Sequence, residues 1–118
     1  RAVTERAKKY WATERPNSMS PKVKLYVAAL PNDAYPSGHS AMAYVWASVL
    51  GQIVEGKQQV LQSRAASIAQ RRIVAGVHYP MDAEGGKELA RMLIGAFVAS
   101  DAYQADLRAA KAEVAGLN

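Results

Sequence analysis

Apolar residues recur at spacings of three and four along most of this chain, which is the pattern of amphipathic α-helices. The clearest run predicts a buried helix from Ser37 to about Glu55, ending near Gly56. Its expected inward-facing residues are Met42, Val45, Trp46, Val49, Leu50 and Ile53.

The same spacing predicts four more helices. The first ends at about Arg15, because Pro16 disfavours helical geometry in the residue before it. In chain order, the helices and their inward-facing residues are 1–13 with Val3, Ala7, Tyr10 and Trp11; 57–75 with Leu61, Ala65, Ile68, Ala69, Ala75 and Gly76; 80–99 with Leu89, Met92, Leu93, Ala96 and Phe97; and the segment capped by Asp101 with Tyr103, Leu107, Ala110, Val114 and Leu117. The predicted fold class is all-α, a bundle of about five helices in a single domain over residues 1–118.

A long connection follows the first helix over residues 17–36 and is marked by Pro21, Pro31 and Pro36. Within it, residues 22–29 hold an apolar patch that suits either a short extended piece or one helical turn. A connection of this length inside a domain is often functional, for example as a wall or lid over a site.

The net charge of +5 favours an anionic partner, but it does not separate nucleic acid from a phosphate ester or an anionic lipid. The absence of cysteine excludes disulfides and thiolate metal sites. The apolar stretch 41–54 is short for a membrane span of about 20 residues, so we expect no span and a soluble protein. The sequence begins inside a helical pattern without methionine and shows no targeting segment, so we expect a processed or excised piece.

The turn at residues 34–40, with sequence AYPSGHS, is the first candidate site. Ser37 is a good N-cap for the helix that follows, and the free N–H groups and dipole of a helix N-terminus attract anions. His39 would then lie in the first turn, where it could protonate whatever the anion is attached to. Most such turns are only caps, so this interpretation needs support from the rest of the chain.

Arg72 falls in the centre of the apolar column of the 57–75 helix, whereas Arg71 lines up with its polar side. Burying a guanidinium without a partner is very costly, so Arg72 requires either a carboxylate or a bound anion. The sequence leaves both alternatives open.

Two further pairs of residues carry candidate chemistry. His78 and Asp82 straddle a predicted helix start, so the carboxylate either fixes the imidazole tautomer or merely stabilises the N-terminus. Lys8 and Arg15 are seven residues apart and would project to a similar side of the first helix, as a binding edge or a solvated basic edge. Two histidines and one carboxylate fall short of a metal-ligand set, so no metal site is predicted.

Together, these groups suit phosphoryl transfer: cations and helix N–H groups hold the phosphoryl oxygens, one histidine attacks, and another protonates the leaving group. The motifs resemble the three-part signature of the type 2 phosphatidic acid phosphatase superfamily, which includes bacterial class A nonspecific acid phosphatases and vanadium-dependent haloperoxidases. The matching segments are Lys8-x6-Arg15-Pro16, Pro36-Ser37-Gly38-His39 and Arg72-x5-His78-x3-Asp82, which span about two thirds of the chain.

The resemblance implies a role for each motif residue. His78 would be the nucleophile that forms a phosphohistidine, with Asp82 holding it. His39 would be the general acid, and would later help to activate water. The phosphate-binding groups would be Lys8, Arg15, Ser37, the Gly38 backbone N–H and Arg72. No metal or cofactor would be required, phosphate or vanadate would fit the site, the substrate would be a small phosphate ester, and the location would be periplasmic or secreted.

Two features depart from the family pattern. Arg71 stands where the third motif usually has serine, so a phosphate-binding hydroxyl is missing or a second cation is added near the rim. Family members also carry considerable helical sequence before the first motif. We therefore expect this chain to lack N-terminal helices and to pack against a separate N-terminal fragment or another subunit, as in a homo-oligomer.

Three other functions remain as alternatives. A vanadate-dependent haloperoxidase would use the same pocket, because vanadate resembles a trapped pentacoordinate phosphoryl group, but its members tend to be larger. A non-catalytic helical module could bind nucleic acid or another polyanion; the scattered charge and the inward position of Arg72 argue against it, so no nucleic-acid partner is predicted. A phosphate-binding fragment that is inactive without further helices is the third.

Overall fold

The computed structural model describes residues 1–117, which fold into helices without any strand. The helices are α1 (Ala2–Trp11), α2 (Pro16–Met19), α3 (Gly38–Ile53), α4 (Gln58–Val74), α5 (Pro80–Val98) and α6 (Asp101–Ala115). The all-α prediction is confirmed, and the five longer helices match the predicted ones to within a few residues. Asn118, the last residue of the predicted domain, lies outside the described residues.

The helix α3 is central, because it packs along both α4 and α5. The core between them is built mainly from small side chains, with Ala43, Ala47 and Ala65 buried and larger residues packed around them. Alanine lets two helix backbones approach closely, which explains a tight core in a chain with few aromatic residues. None of the described helices combines the length and apolar character needed to cross a bilayer.

The predicted inward face of α3 is wrong at three of its six positions, while Val45, Val49 and Ile53 are half-buried. Met42, Trp46 and Leu50 are 48%, 61% and 44% exposed, whereas Ala41 and Ala47 are buried. The reason is the position of α3 between two neighbours: its small-residue side fits into the narrow space against α4 and α5, and the bulky side remains outside. The column predicted for α4 is confirmed, with Ala65, Ala69 and Ala75 buried.

The other helices show smaller differences from the prediction. In α1 the predicted apolar stripe is exposed at Val3, Tyr10 and Trp11, and Thr4 and Lys8 are buried instead. Exposed residues that the sequence assigns to the core are Met92, Ala96 and Phe97 in α5, and Leu117 after the end of α6. The cap of α6 is the Ser100 side chain, which accepts a hydrogen bond from the Tyr103 N–H, and Asp101 is the first helical residue. In α1, α3 and α5, polar or small residues replace large apolar ones on the buried side, whereas in α6 the predicted Leu107 is buried.

Hydrogen bonds join the first turns of α3 and α5 to each other. The Ser37 N–H donates to the Asp82 carbonyl oxygen at 2.9 Å, and the Ser40 hydroxyl donates to the Ala83 carbonyl oxygen at 2.6 Å. Gly86 of α5 packs closely against this junction, since a Cβ on Gly86 would lie 2.5 Å from the Ser37 carbonyl oxygen. This junction sets the two helix N-termini side by side.

Replacing Gly86 with alanine is expected to lower the free energy of unfolding by about 1–3 kcal/mol, because the added methyl group meets backbone that has no room to move. Gly95, in the same helix, is the matched control, since nothing lies within 4 Å of its Cβ position. Gly95→Ala should therefore raise stability by up to about 1 kcal/mol through helix propensity alone. Urea unfolding of the two variants measures the difference, and equal changes would contradict the close packing.

Candidate active site

His78 lies in the short link between α4 and α5, where both ends are fixed by local sequence. Gly76 adopts a positive φ of 78° after α4, and α5 begins at Pro80, where the helix was predicted to start. The His78 Nδ1 is 3.1 Å from Asp82 Oδ2, and the Tyr79 N–H donates to the same oxygen at 2.8 Å. Because the buried carboxylate accepts at Nδ1, the proton of a neutral imidazole sits there and Nε2 keeps its lone pair.

Arg15 faces that Nε2 atom and is held by a dense set of acceptors. Its Nε donates to the Asn32 carbonyl oxygen at 2.8 Å, and its Nη2 donates to Asn32 Oδ1 and the Asp33 carbonyl oxygen at 2.7 and 3.0 Å. Its Nη1 donates to the Val77 carbonyl oxygen at 2.6 Å and lies 3.4 Å from His78 Nε2. These contacts account for all five guanidinium hydrogens, and the longest contact is the one between Nη1 and His78 Nε2.

Lys8 is buried and shares an acceptor with Arg15. Its Nζ donates to the carbonyl oxygens of Asp33 and Ala34 at 2.5 and 3.0 Å, which leaves one of three N–H donors over. Lys8 and Arg15 therefore both donate hydrogen bonds to residues 32–34 of the connection, but they do not project from one helix as predicted. Because α1 ends at Trp11, Arg15 is not on that helix and instead precedes α2.

The N-terminus of α3 has the features predicted for an anion site. The Ser37 hydroxyl is fully buried and accepts a hydrogen bond from the Ser40 N–H at 3.3 Å, which confirms the cap. The Gly38 and His39 N–H groups, in the first helical turn, have no acceptor among residues 1–117. These two donors and the helix dipole are available to an anion.

Arg72 is half-buried and makes no hydrogen bond or ion pair within the part of the chain that the structure describes. Its Nε is buried without an acceptor, and burial lowers the pKa of the guanidinium. No described carboxylate therefore fills the role of internal partner, one of the two alternatives that the sequence left open. Arg71 is exposed on the polar side of α4, as predicted.

Loss of solvent contact and nearby positive charges lower the pKa of both histidines. His39 is exposed, but partial loss of solvent contact lowers its pKa, and the charges of Arg72, His78, Arg15 and Lys8 lower it further. Burial likewise lowers the pKa of His78, although its hydrogen bond to Asp82 acts in the opposite direction. Both imidazoles are therefore neutral at pH 7 unless a bound anion restores the charged form.

Hydrogen bonds link the surroundings of Lys8, Arg15, His78, Asp82 and Ser37 where the N-termini of α3 and α5 meet the connection, and the charge of Arg72 acts on His39. Sequence reasoning missed Asn32 and the backbone carbonyls that bind Lys8 and Arg15. Its only signal for Asn32 was a polar residue after Pro31, and nothing in the spacing ties that residue to Arg15.

The comparison with protein families agrees with this geometry, since a model of the PAP2 superfamily matches residues 1–106. The chain belongs to this superfamily. It is 30% identical over 86 residues to a non-specific acid phosphatase of Providencia stuartii, covering 73% of this chain and 35% of that protein. It is 27% identical over 116 residues to the non-specific acid phosphatases of Salmonella typhimurium and Salmonella typhi, covering 95% of this chain and 46% of each.

This PAP2 chain thus spans less than half the length of the curated relatives it matches. The match to the family model includes every residue of the candidate site, from Lys8 to Asp82. Within residues 1–117 no three His, Asp or Glu side chains lie together as a metal site would require.

Proposed function

We propose that this chain hydrolyses phosphate monoesters through a phosphohistidine on His78, without a metal ion. The observation that carries the proposal is Arg72: a half-buried guanidinium whose Nε lacks an acceptor, close enough to act on His39. A phosphoryl group would supply the missing acceptors. The non-specific acid phosphatases among its relatives support phosphatase activity.

In the first step, the Nε2 lone pair of His78 attacks phosphorus and the ester P–O bond breaks. The bond electrons pass to the leaving oxygen, which takes a proton from the charged His39. Asp82, at Nδ1, stabilises the positive ring of the phosphohistidine. The Arg15 Nη1 hydrogen that faces Nε2 would turn to a phosphoryl oxygen, where it joins Arg72 and the α3 N-terminus.

In the second step, neutral His39 takes a proton from water, and the resulting hydroxide oxygen bonds to phosphorus. The P–N bond breaks, its electrons return to Nε2, and inorganic phosphate leaves. Positive charge from Lys8, Arg15 and Arg72 would neutralise the phosphoryl oxygens in both steps, which is the task that a metal ion performs in other phosphatases.

The pH dependence of alkyl phosphate hydrolysis, in which the leaving oxygen needs a proton, tests this proposal. His78 must be neutral to attack, and its lowered pKa keeps it neutral into the acid range; His39 must be charged to act as an acid, and its lowered pKa confines that form to the acid range. The profile of kcat/KM should therefore be bell-shaped with its maximum below the ordinary histidine pKa of about 6.5. A maximum above pH 7 would contradict these assignments.

Two parallel assays separate the other functions. Vanadate-dependent bromide oxidation without ester hydrolysis would favour a haloperoxidase. Salt-sensitive binding to random DNA without hydrolysis would favour a polyanion-binding module.

A periplasmic or secreted location, and a partner fragment or second subunit, belong to the same proposal. The family resemblance supports the first. The second is supported by exposed apolar side chains on α1 and α3, among them Trp11 and Trp46.

A further inference from the structure

We propose that Asn32 is a positioning residue that aims Arg15 at the reacting atoms, with Glu5 as its anchor. This inference rests on the proposed function, which gives the Arg15 corner facing His78 a phosphoryl oxygen to bind. Glu5 lies in α1, Arg15 immediately before α2 and Asn32 in the connection, and neither Glu5 nor Asn32 belongs to the family-like motifs.

Asn32 binds one edge of the Arg15 guanidinium at two points. Its carbonyl oxygen accepts from Nε at 2.8 Å, and its side-chain Oδ1 accepts from Nη2 at 2.7 Å. On the other side, Asn32 Nδ2 donates towards both carboxylate oxygens of Glu5 at 3.3 Å. The amide has one workable orientation, because reversing it would set its NH2 against the guanidinium and its oxygen against the carboxylate.

These two contacts determine the orientation of the whole Arg15 side-chain end, because a guanidinium is planar and rigid. With Nε and Nη2 fixed by Asn32, the direction of the third corner, Nη1, is also fixed. That corner donates to the Val77 carbonyl oxygen and faces His78 Nε2 at 3.4 Å. Asn32 thus sets the angle at which Arg15 meets the phosphoryl group without touching that group itself.

A purely structural role for Asn32, closing the connection against α1, predicts a different result. The backbone carbonyls of Asn32 and Asp33 also bind Arg15, so the connection stays attached when only the Asn32 side chain is removed. Asn32→Ala should therefore remain folded with α1 in place. What it loses is the second point of contact and the link to Glu5, which together prevent the guanidinium from tilting.

The test begins with p-nitrophenyl phosphate turnover by Asn32→Ala, for which we expect kcat/KM to fall about tenfold, as is typical when an orienting residue is removed. Asn17→Ala is the matched control, because Asn17 is also half-buried in this region and its Oδ1 has no partner, and it should leave turnover unchanged. Glu5→Gln keeps an acceptor for Nδ2 and should retain most of the activity. In an Arg15→Ala background, Asn32→Ala should cause no further loss.

A second readout does not depend on turnover. The charge of Arg15 lowers the pKa of His78, alongside the effects of Asp82 and Lys8 on the same ring. A guanidinium that tilts away should let that pKa rise, so NMR titration of His78 should show a higher pKa in Asn32→Ala and no change in Asn17→Ala.

The two readouts separate the two claims. A wild-type chain that hydrolyses no ester would overturn the proposed function, while the titration would still decide the role of Asn32. An unchanged His78 pKa in folded Asn32→Ala, or equal losses from Asn32→Ala with and without Arg15, would overturn that role.

Discussion

Replacing His78 with alanine is expected to lower kcat for p-nitrophenyl phosphate by at least about 10³-fold and to abolish any burst of p-nitrophenol. The reason is that the proposed nucleophile is the Nε2 lone pair of His78, which Asp82 leaves free and which faces Arg15. The effect should be the same for good and poor leaving groups, because the P–O bond cannot break without the attacking nitrogen. Rapid-mixing kinetics measures both quantities.

His39→Ala is the matched control for that experiment. Nitrophenolate leaves without a proton, so this variant should keep a burst of about one p-nitrophenol per chain and then turn over slowly, because water is no longer activated. With an alkyl phosphate, which needs a proton on the leaving oxygen, the burst should disappear as well. A burst in His78→Ala, or none in His39→Ala with the nitrophenyl ester, would reverse the assigned roles.

Arg72→Gln is expected to lower kcat/KM by about 10³-fold, the lower range for an arginine that neutralises a transferring phosphoryl group. Its stability should be unchanged or higher, because the replaced side chain has a buried Nε without an acceptor and no ion pair among residues 1–117. Activity and stability should thus move in opposite directions. Activity assays and urea unfolding of the same sample measure the two.

Arg71→Gln is the control for charge, since it removes an arginine from the adjacent position, which is exposed. We expect less than a threefold change in kcat/KM, within the range of a screened surface charge. Equal losses in the two variants would mean that net charge, not the placement of Arg72, determines phosphate binding. A large loss of stability in Arg72→Gln would indicate a structural partner for this residue.

The sequence predicts the helices well because their boundaries are local. Ser37 and Pro80 mark helix starts by their own capping and backbone preferences, and the structure confirms both. The inward face of α3 is not a local property. It depends on which neighbours the helix meets, and the large apolar residues that dominate its periodicity, such as Trp46, lie on the side that these neighbours leave exposed.

The same distinction applies to the site. The contact between His78 and Asp82 is predictable because four residues at a helix start bring two side chains together. The partners of Lys8 and Arg15 are backbone carbonyls of the connection, and a carbonyl has no signature in the sequence. Asn32 was missed because its position beside Arg15 depends on the path of an irregular segment.

Labelling of the chain during turnover tests the phosphohistidine most directly. The enzyme would be mixed with a radiolabelled phosphate ester, quenched in alkali because phosphohistidine is labile to acid, and digested to locate the label. We predict base-stable label on the peptide that contains His78, in an amount equal to the burst, and none in His78→Ala. Hydrolysis by the wild type without label, or undiminished label in His78→Ala, would contradict the proposed mechanism.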